Sequence, residues 1–145
     1  MCSSDLGTFD RTIAGIRRLL ANKVPFHTIS VLSRDSLLRP DEMLAFFLEE
    51  GIEEVCFNVE ESEGGHVSDL FADSTDAGPE LRRRYAAFLR RFWHGARASG
   101  RIRFVREIDL ALPRVFRPAG TPERNIQTEP LAMLNVDSQI GRAHV

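Results

Sequence analysis

Three carboxylates close an alternating run of the chain. Val55, Phe57 and Val59 alternate with Cys56, Asn58 and Glu60, and Glu61 and Glu63 follow before Gly64-Gly65. A period of two is the signature of a strand, with bulky apolar residues on one face and small or polar ones on the other. In barrels built of strand–helix units, chemistry gathers at the C-terminal ends of strands. A carboxylate at that end is placed to hold a ligand or move a proton. The competing reading is a strand with a solvated acidic exit. His66 could pair with Glu60 or Glu63 on a metal. No third ligand stands at a telling spacing, so a surface histidine is the simpler account.

A second polar set precedes it. Phe26 to Leu32, FHTISVL, is rich in β-branched residues and predicts a strand. Ile29 and Val31 are expected to pack on helices, which turns Thr28 and Ser30 to the same polar side as Asn58. Their hydroxyls could bind a ligand or satisfy nearby backbone groups.

The elements that must position these residues alternate. Thr8 can cap a helix whose stripe is Phe9, Ile13, Ile16 and Leu20, with Arg17-Arg18 on its wet side. Pro40, followed by Asp41 and Glu42, opens a second helix that Gly51 stops. Glu60 to Gly78 is a long polar connection. Pro79-Glu80 opens the longest helix, closed by Gly100, with Leu81, Tyr85, Phe88, Phe92 and Ala96 on one face and many arginines off it. Ile102 to Val105 predicts a short strand. Arg106 to Phe116 predicts a helix cut by Pro113, and Leu131 to Val136 a last strand after a linker. Helix–strand alternation predicts an α/β fold with a parallel sheet and right-handed crossovers. A polar strand face favours an incomplete (β/α) barrel segment over a doubly wound sheet, whose central strands are apolar on both sides. A closed barrel takes ~250 residues, and this chain has 145.

Composition narrows the function classes. A net charge of -2 gives no argument for nucleic acid or an anionic membrane surface, despite the arginine-rich helix. No apolar run nears the ~20 residues that span a bilayer, and no leader pattern opens the chain. Two cysteines, Cys2 and Cys56, make neither a disulfide framework nor a metal cluster. A cytoplasmic location is expected. Dinucleotide, P-loop, nucleophile-elbow and zinc motifs are absent. MCSSDL and IGRAHV at the two ends resemble translations of short-read sequencing adapters, so residues 1–6 and 139–145 are expected to be foreign to an interior fragment.

The run from Gly7 to Gly64 resembles the middle of a radical S-adenosylmethionine (SAM) protein. The likeness is nearest to the SPASM-type peptide maturases of the cyclophane-forming group, and sulfatase-maturing enzymes share the pattern. The carrying residues are the small residue before Phe9-Asp10-Arg11, VPFHTISVL as the fifth barrel strand, the helix opened by Pro40-Asp41-Glu42, and GIEEVCFNVEE as the sixth strand. NIQTEPLAMLNVDS resembles the lead-in to a SPASM region. The resemblance implies the last third of an open barrel over residues 7–116, then a linker and SPASM start over 117–138. It implies a parent enzyme that uses SAM and a [4Fe–4S] cluster to abstract hydrogen from a ribosomally made peptide or protein. The cluster-binding CxxxCxxC motif and the auxiliary cysteines of that family are absent from this chain, which is expected to be inactive alone. Asn58, Val59 and Glu60 then fall against the adenine of SAM, with Thr28 and Ser30 lining the same cavity. The rival readings are a metal-dependent barrel using Glu60 and His66, and a binding domain whose acidic loop receives a basic partner.

Overall fold

The computed structural model describes residues 5–61, 68, 70 and 77–118. Helix α1 runs Asp5–Ala21, strand β1 Thr28–Leu32, helix α2 Pro40–Glu50 and strand β2 Glu54–Val59. Helix α3 runs Ala77–Ser99, strand β3 Phe104–Val105, and the short helices α4 and α5 span Arg106–Asp109 and Ala111–Val115. A single 3₁₀ turn, Ser36–Leu38, lies between β1 and α2. The strands form one parallel sheet in the order β1-β2-β3. The fold is therefore α/β, with an open three-stranded sheet. The expected last strand, Leu131 to Val136, lies outside the described residues.

The elements start and stop for local reasons. Pro40 opens α2 where a missing N–H costs nothing, and Asp41 and Glu42 sit at the positive end of its dipole. Gly51 ends α2 in the left-handed conformation, at φ 71°, where a side chain would be strained. The helix after β3 breaks at Leu110, not at Pro113 itself. A proline has no N–H for the carbonyl four residues back and its ring crowds that carbonyl, so α4 ends at Asp109.

Both crossover helices lie on one face of the sheet. Phe57 of β2 meets Phe47 of α2 at 6.2 Å between ring centroids, and Phe88 and Phe92 of α3 at 5.2 and 4.9 Å. The contacts with α3 are edge-to-face, the geometry that the ring quadrupoles favour. Leu32, Leu44, Val55 and Val105 complete this core. Helix α1 adds Ile13 and Ile16 on the same side, and the Arg17–Glu50 ion pair at 2.7 Å ties it to α2. Arg17 therefore has a partner across the fold, where a purely solvated helix face was expected. At the α2–α3 crossing, a Cβ on Gly95 would come within 2.5 Å of a Leu44 methyl, so the helices approach through that glycine. Four of the six arginines of α3 are tied to protein groups: Arg83 and Arg84 to Glu80, Arg91 to Asp41, and Arg97 over the Trp93 ring.

Among the described residues no helix is long and apolar enough to cross a membrane. Phe57 is 1% exposed, and its ring is shared by both crossover helices. We predict that Phe57→Ala lowers unfolding free energy by about 3–5 kcal/mol, read as a shift in urea midpoint. A change below about 1 kcal/mol would show that the ring is not central to the core.

Candidate functional site

The register of the sheet decides which residues can share a site. Thr28 pairs with Val55, Ile29 with Cys56, Ser30 with Phe57 and Val31 with Asn58. Paired residues of parallel strands project to the same side. Thr28 and Ser30 therefore lie on the helix-covered face with Phe57. Ile29 and Val31 lie on the open face, 55% and 62% exposed. This corrects the expected placement of Thr28 and Ser30 beside Asn58. The physical reason is visible at the strand ends: Phe26 and Leu32 share their parity, and burying Leu32 outweighs exposing Ile29 and Val31. The Thr28 hydroxyl donates to the Glu54 carbonyl at 3.4 Å, a backbone role. Thr28 and Ser30 instead line an apolar cleft of about 370 Å³ beneath α1, with Phe9, Ile13, Ile16 and Phe46.

Asn58 stays on the open face, at the C-terminal end of β2, and is exposed. Glu60 follows, and its carboxylate accepts from the Ser68 hydroxyl at 3.0 Å. That hydroxyl is fully buried and also accepts from the Leu70 N–H at 3.2 Å. Part of what Glu60 does is thus to hold Ser68 against the strand end. Glu63 and His66 lie outside the described residues. No group of three His, Cys, Asp or Glu side chains that could hold a metal occurs among the described residues.

Sequence reasoning missed the pair that shapes this end of the sheet. Strand β3 pairs with only Glu54 and Val55, then the chain turns into α4. Where a longer β3 would meet Phe57, two side chains take its place. The Glu107 carboxylate accepts from the Phe57 N–H at 3.0 Å. The Arg106 guanidinium donates to the Phe57 carbonyl and to Asn58 Oδ1, both at 2.7 Å. Glu107 Oε1 also accepts from Arg106 Nε at 2.8 Å and pairs with Nη2 at 2.6 Å. The Glu107 side chain is only 11% exposed, and its Oε2 is buried without a hydrogen-bond partner. A guanidinium has donors in a planar fork and a carboxylate has only acceptors, so together they copy the donor and acceptor of one strand residue. An Arg-Glu dipeptide directly after an apolar strand was the available signal.

Among the described residues, β3 does not reach as far as Val59. Alternate residues of a strand turn their backbone groups to opposite neighbours. Glu60 N–H donates to the Leu32 carbonyl, towards β1, whereas Phe57 faces Arg106 and Glu107. Val59 has the parity of Phe57, so its N–H and C=O face the side where β3 has already ended. Cys56 is buried near these charges, and burial pushes its thiol up from the ordinary value. Burial, then the Glu107 charge, pushes the Tyr85 phenol up to about 12.

Comparison with known proteins gives one informative match. No protein-family model matches the chain. It is 30% identical, over 136 residues, to an uncharacterized protein of Synechocystis sp.. The match covers 92% of this chain and 32% of that protein, so the chain spans about a third of the relative's length. No solved structure matches.

Glu107→Gln keeps the shape and removes the charge that opposes Arg106. We expect it to cost about 1–3 kcal/mol and to lower the Tyr85 pKa from about 12. The sign follows from linkage: a phenol raised in the folded state adds stability that is complete below its unfolded value of about 10. That contribution is lost as pH rises through the folded value, and the variant loses less of it. Tyr85 is the only tyrosine, so phenolate absorbance against pH reads it directly. An unchanged titration would place Glu107 too far away to act on it.

Proposed function

We propose that this chain is the C-terminal part of a radical SAM (β/α) barrel, over residues 7–116, followed by the start of a SPASM-like region. Its parent then modifies a side chain of a ribosomally made peptide or protein. The observation that carries the reading is the one-sided winding of the sheet. Three parallel strands stand in chain order, α1, α2 and α3 cover one face, and Ile29, Val31 and Asn58 are exposed on the other, where Cys56 is buried near Arg106 and Glu107. A doubly wound sheet has helices on both faces. A barrel wall has them on one, with a lined interior on the other. The residue resemblance supplies the family.

Two groups of that family fit this chain differently. A cluster of the [4Fe–4S] type takes several thiolates. Cys56 is the one described cysteine, buried and with its thiol held protonated. It does not fit cluster ligation, and cluster ligands belong to other parts of the parent on this reading. SAM fits better. The outward backbone of Val59 offers a donor and an acceptor at a strand end, Asn58 stands beside it, and Glu60 borders the same end. SAM supplies the radical precursor when bound, and these residues hold and orient its nucleoside. Thr28 and Ser30 have no part in that contact, because they lie on the helix-covered face.

The reading is tested in the longer frame that contains this chain. Cysteines at CxxxCxxC spacing should stand upstream. The anaerobically reconstituted protein should release 5′-deoxyadenosine from SAM, and Asn58→Ala should slow that release by about tenfold or more. A longer frame without those cysteines, or a reconstituted protein that releases none, would remove the proposal.

A further inference from the structure

We infer that Arg106 sets the hydrogen-bonding sense of Asn58, so that the residue meets a ligand on the open face as a donor and the site selects for a hydrogen-bond acceptor. The inference deepens the proposed function and rests on its placing a ligand at this strand end.

The argument begins with what the two groups can do. A carboxamide has one acceptor oxygen and two N–H donors, and its two ends are nearly the same size. A guanidinium can only donate. Arg106 Nη2 lies 2.7 Å from the Asn58 side chain, so the atom facing it is the carboxamide oxygen. The amide has no choice of orientation while Arg106 stays where it is. Arg106 is itself fixed at several points. Its Nη2 also donates to the Phe57 carbonyl at 2.7 Å, and its Nε and Nη2 engage Glu107 Oε1 at 2.8 and 2.6 Å. Glu107 is anchored in turn by the Phe57 N–H at 3.0 Å. The fork is held by backbone and by a mostly buried carboxylate, and the carboxamide is held by the fork.

The consequence is chemical selectivity. With Oδ1 committed to Arg106, Asn58 has its Nδ2 protons to offer. Asn58 is exposed on the side where Val31 is its register partner. A ligand that presents a ring nitrogen, a carbonyl or a carboxylate oxygen there gains a hydrogen bond. One that presents an N–H or O–H meets a like donor. A site built to pair a polar group discriminates more strongly than an apolar pocket does, because the wrong partner leaves a group unpaired. Arg106 is then a positioning residue, acting on the ligand through Asn58.

The test separates the sense of the amide from the identity of the ligand. Thermal unfolding of the 145-residue chain reads the first. Asn58→Asp keeps an oxygen towards Arg106 and should unfold at least about 3 °C above Asn58→Ala. In an Arg106→Met background, which has neither charge nor donor, that gap should close. Aspartate no more stable than alanine, or a gap indifferent to Arg106→Met, overturns the inference. Binding of S-adenosylhomocysteine by calorimetry, in the longer protein that contains this chain, reads the second. Asn58→Asp should weaken it by about tenfold or more, although the fold is kept, because the donor is gone. Affinity equal to wild type in that variant also overturns the inference. If wild type binds no S-adenosylhomocysteine while the stability gap behaves as expected, the sense of Asn58 stands and the nucleoside reading of the site falls.

Discussion

The pairing of β1 with β2 in one register, with Phe57 sealed between α2 and α3, is the constraint on which the rest depends. Side chains alternate along a strand, so a slip by one residue would exchange the two faces completely. Phe57 is wedged by three phenyl rings from two helices, which makes such a slip prohibitive. Once Phe57 faces the helices, Asn58 must face away from them. Ser30 is carried inward as its partner and Val31 outward as the partner of Asn58. The candidate site is thus placed by a core contact that has no chemistry of its own.

The edge of the sheet is governed by a different economy. An unpaired strand edge invites aggregation, and a buried unpaired backbone group is costly. Here β3 is two residues long, and Arg106 and Glu107 complete the hydrogen bonding of Phe57 with side chains. A backbone strand would have satisfied Phe57 equally well, but it would also have run on to cover Val59. Substituting side chains for backbone stops the coverage after one residue. It also brings a guanidinium against Asn58. Edge protection and the shaping of the strand end are therefore the same structural event.

Aromatic and ionic contacts divide the work between the layers. The phenyl cluster joins α2, α3 and β2, while α1 is joined to the body by Ile13, Ile16, the Phe9–Phe46 contact and the Arg17–Glu50 pair. The apolar cleft beneath α1 reflects the small side chains of Thr28 and Ser30 on that face. The Glu50 carboxyl is held below the ordinary carboxylate range by its hydrogen bond with Arg17, so the α1 attachment is of the kind that acid loosens.

The sequence by itself determined the order and type of the main described elements and several of their C-terminal ends, but not every start: α1 begins at Asp5, so Thr8 lies inside the helix and does not cap it, and α3 begins at Ala77, ahead of Pro79. Period-two runs, Pro40, Gly51 and Gly100 act locally, and the structure places β2 at Glu54–Val59 and α2 at Pro40–Glu50 accordingly. It also placed Asn58 opposite the bulky apolar face of its own strand, because Val55, Phe57 and Val59 share one parity. Only the tertiary structure decided the faces of β1. In TISVL the two sides are nearly balanced, and the outcome rests on Leu32 and on the partner strand. Nor could the sequence show Arg106 and Glu107 reaching back 49 and 50 positions to Phe57. That contact exists because β3 stops early beside β2, and stopping distances between non-adjacent segments are written in packing, not in periodicity.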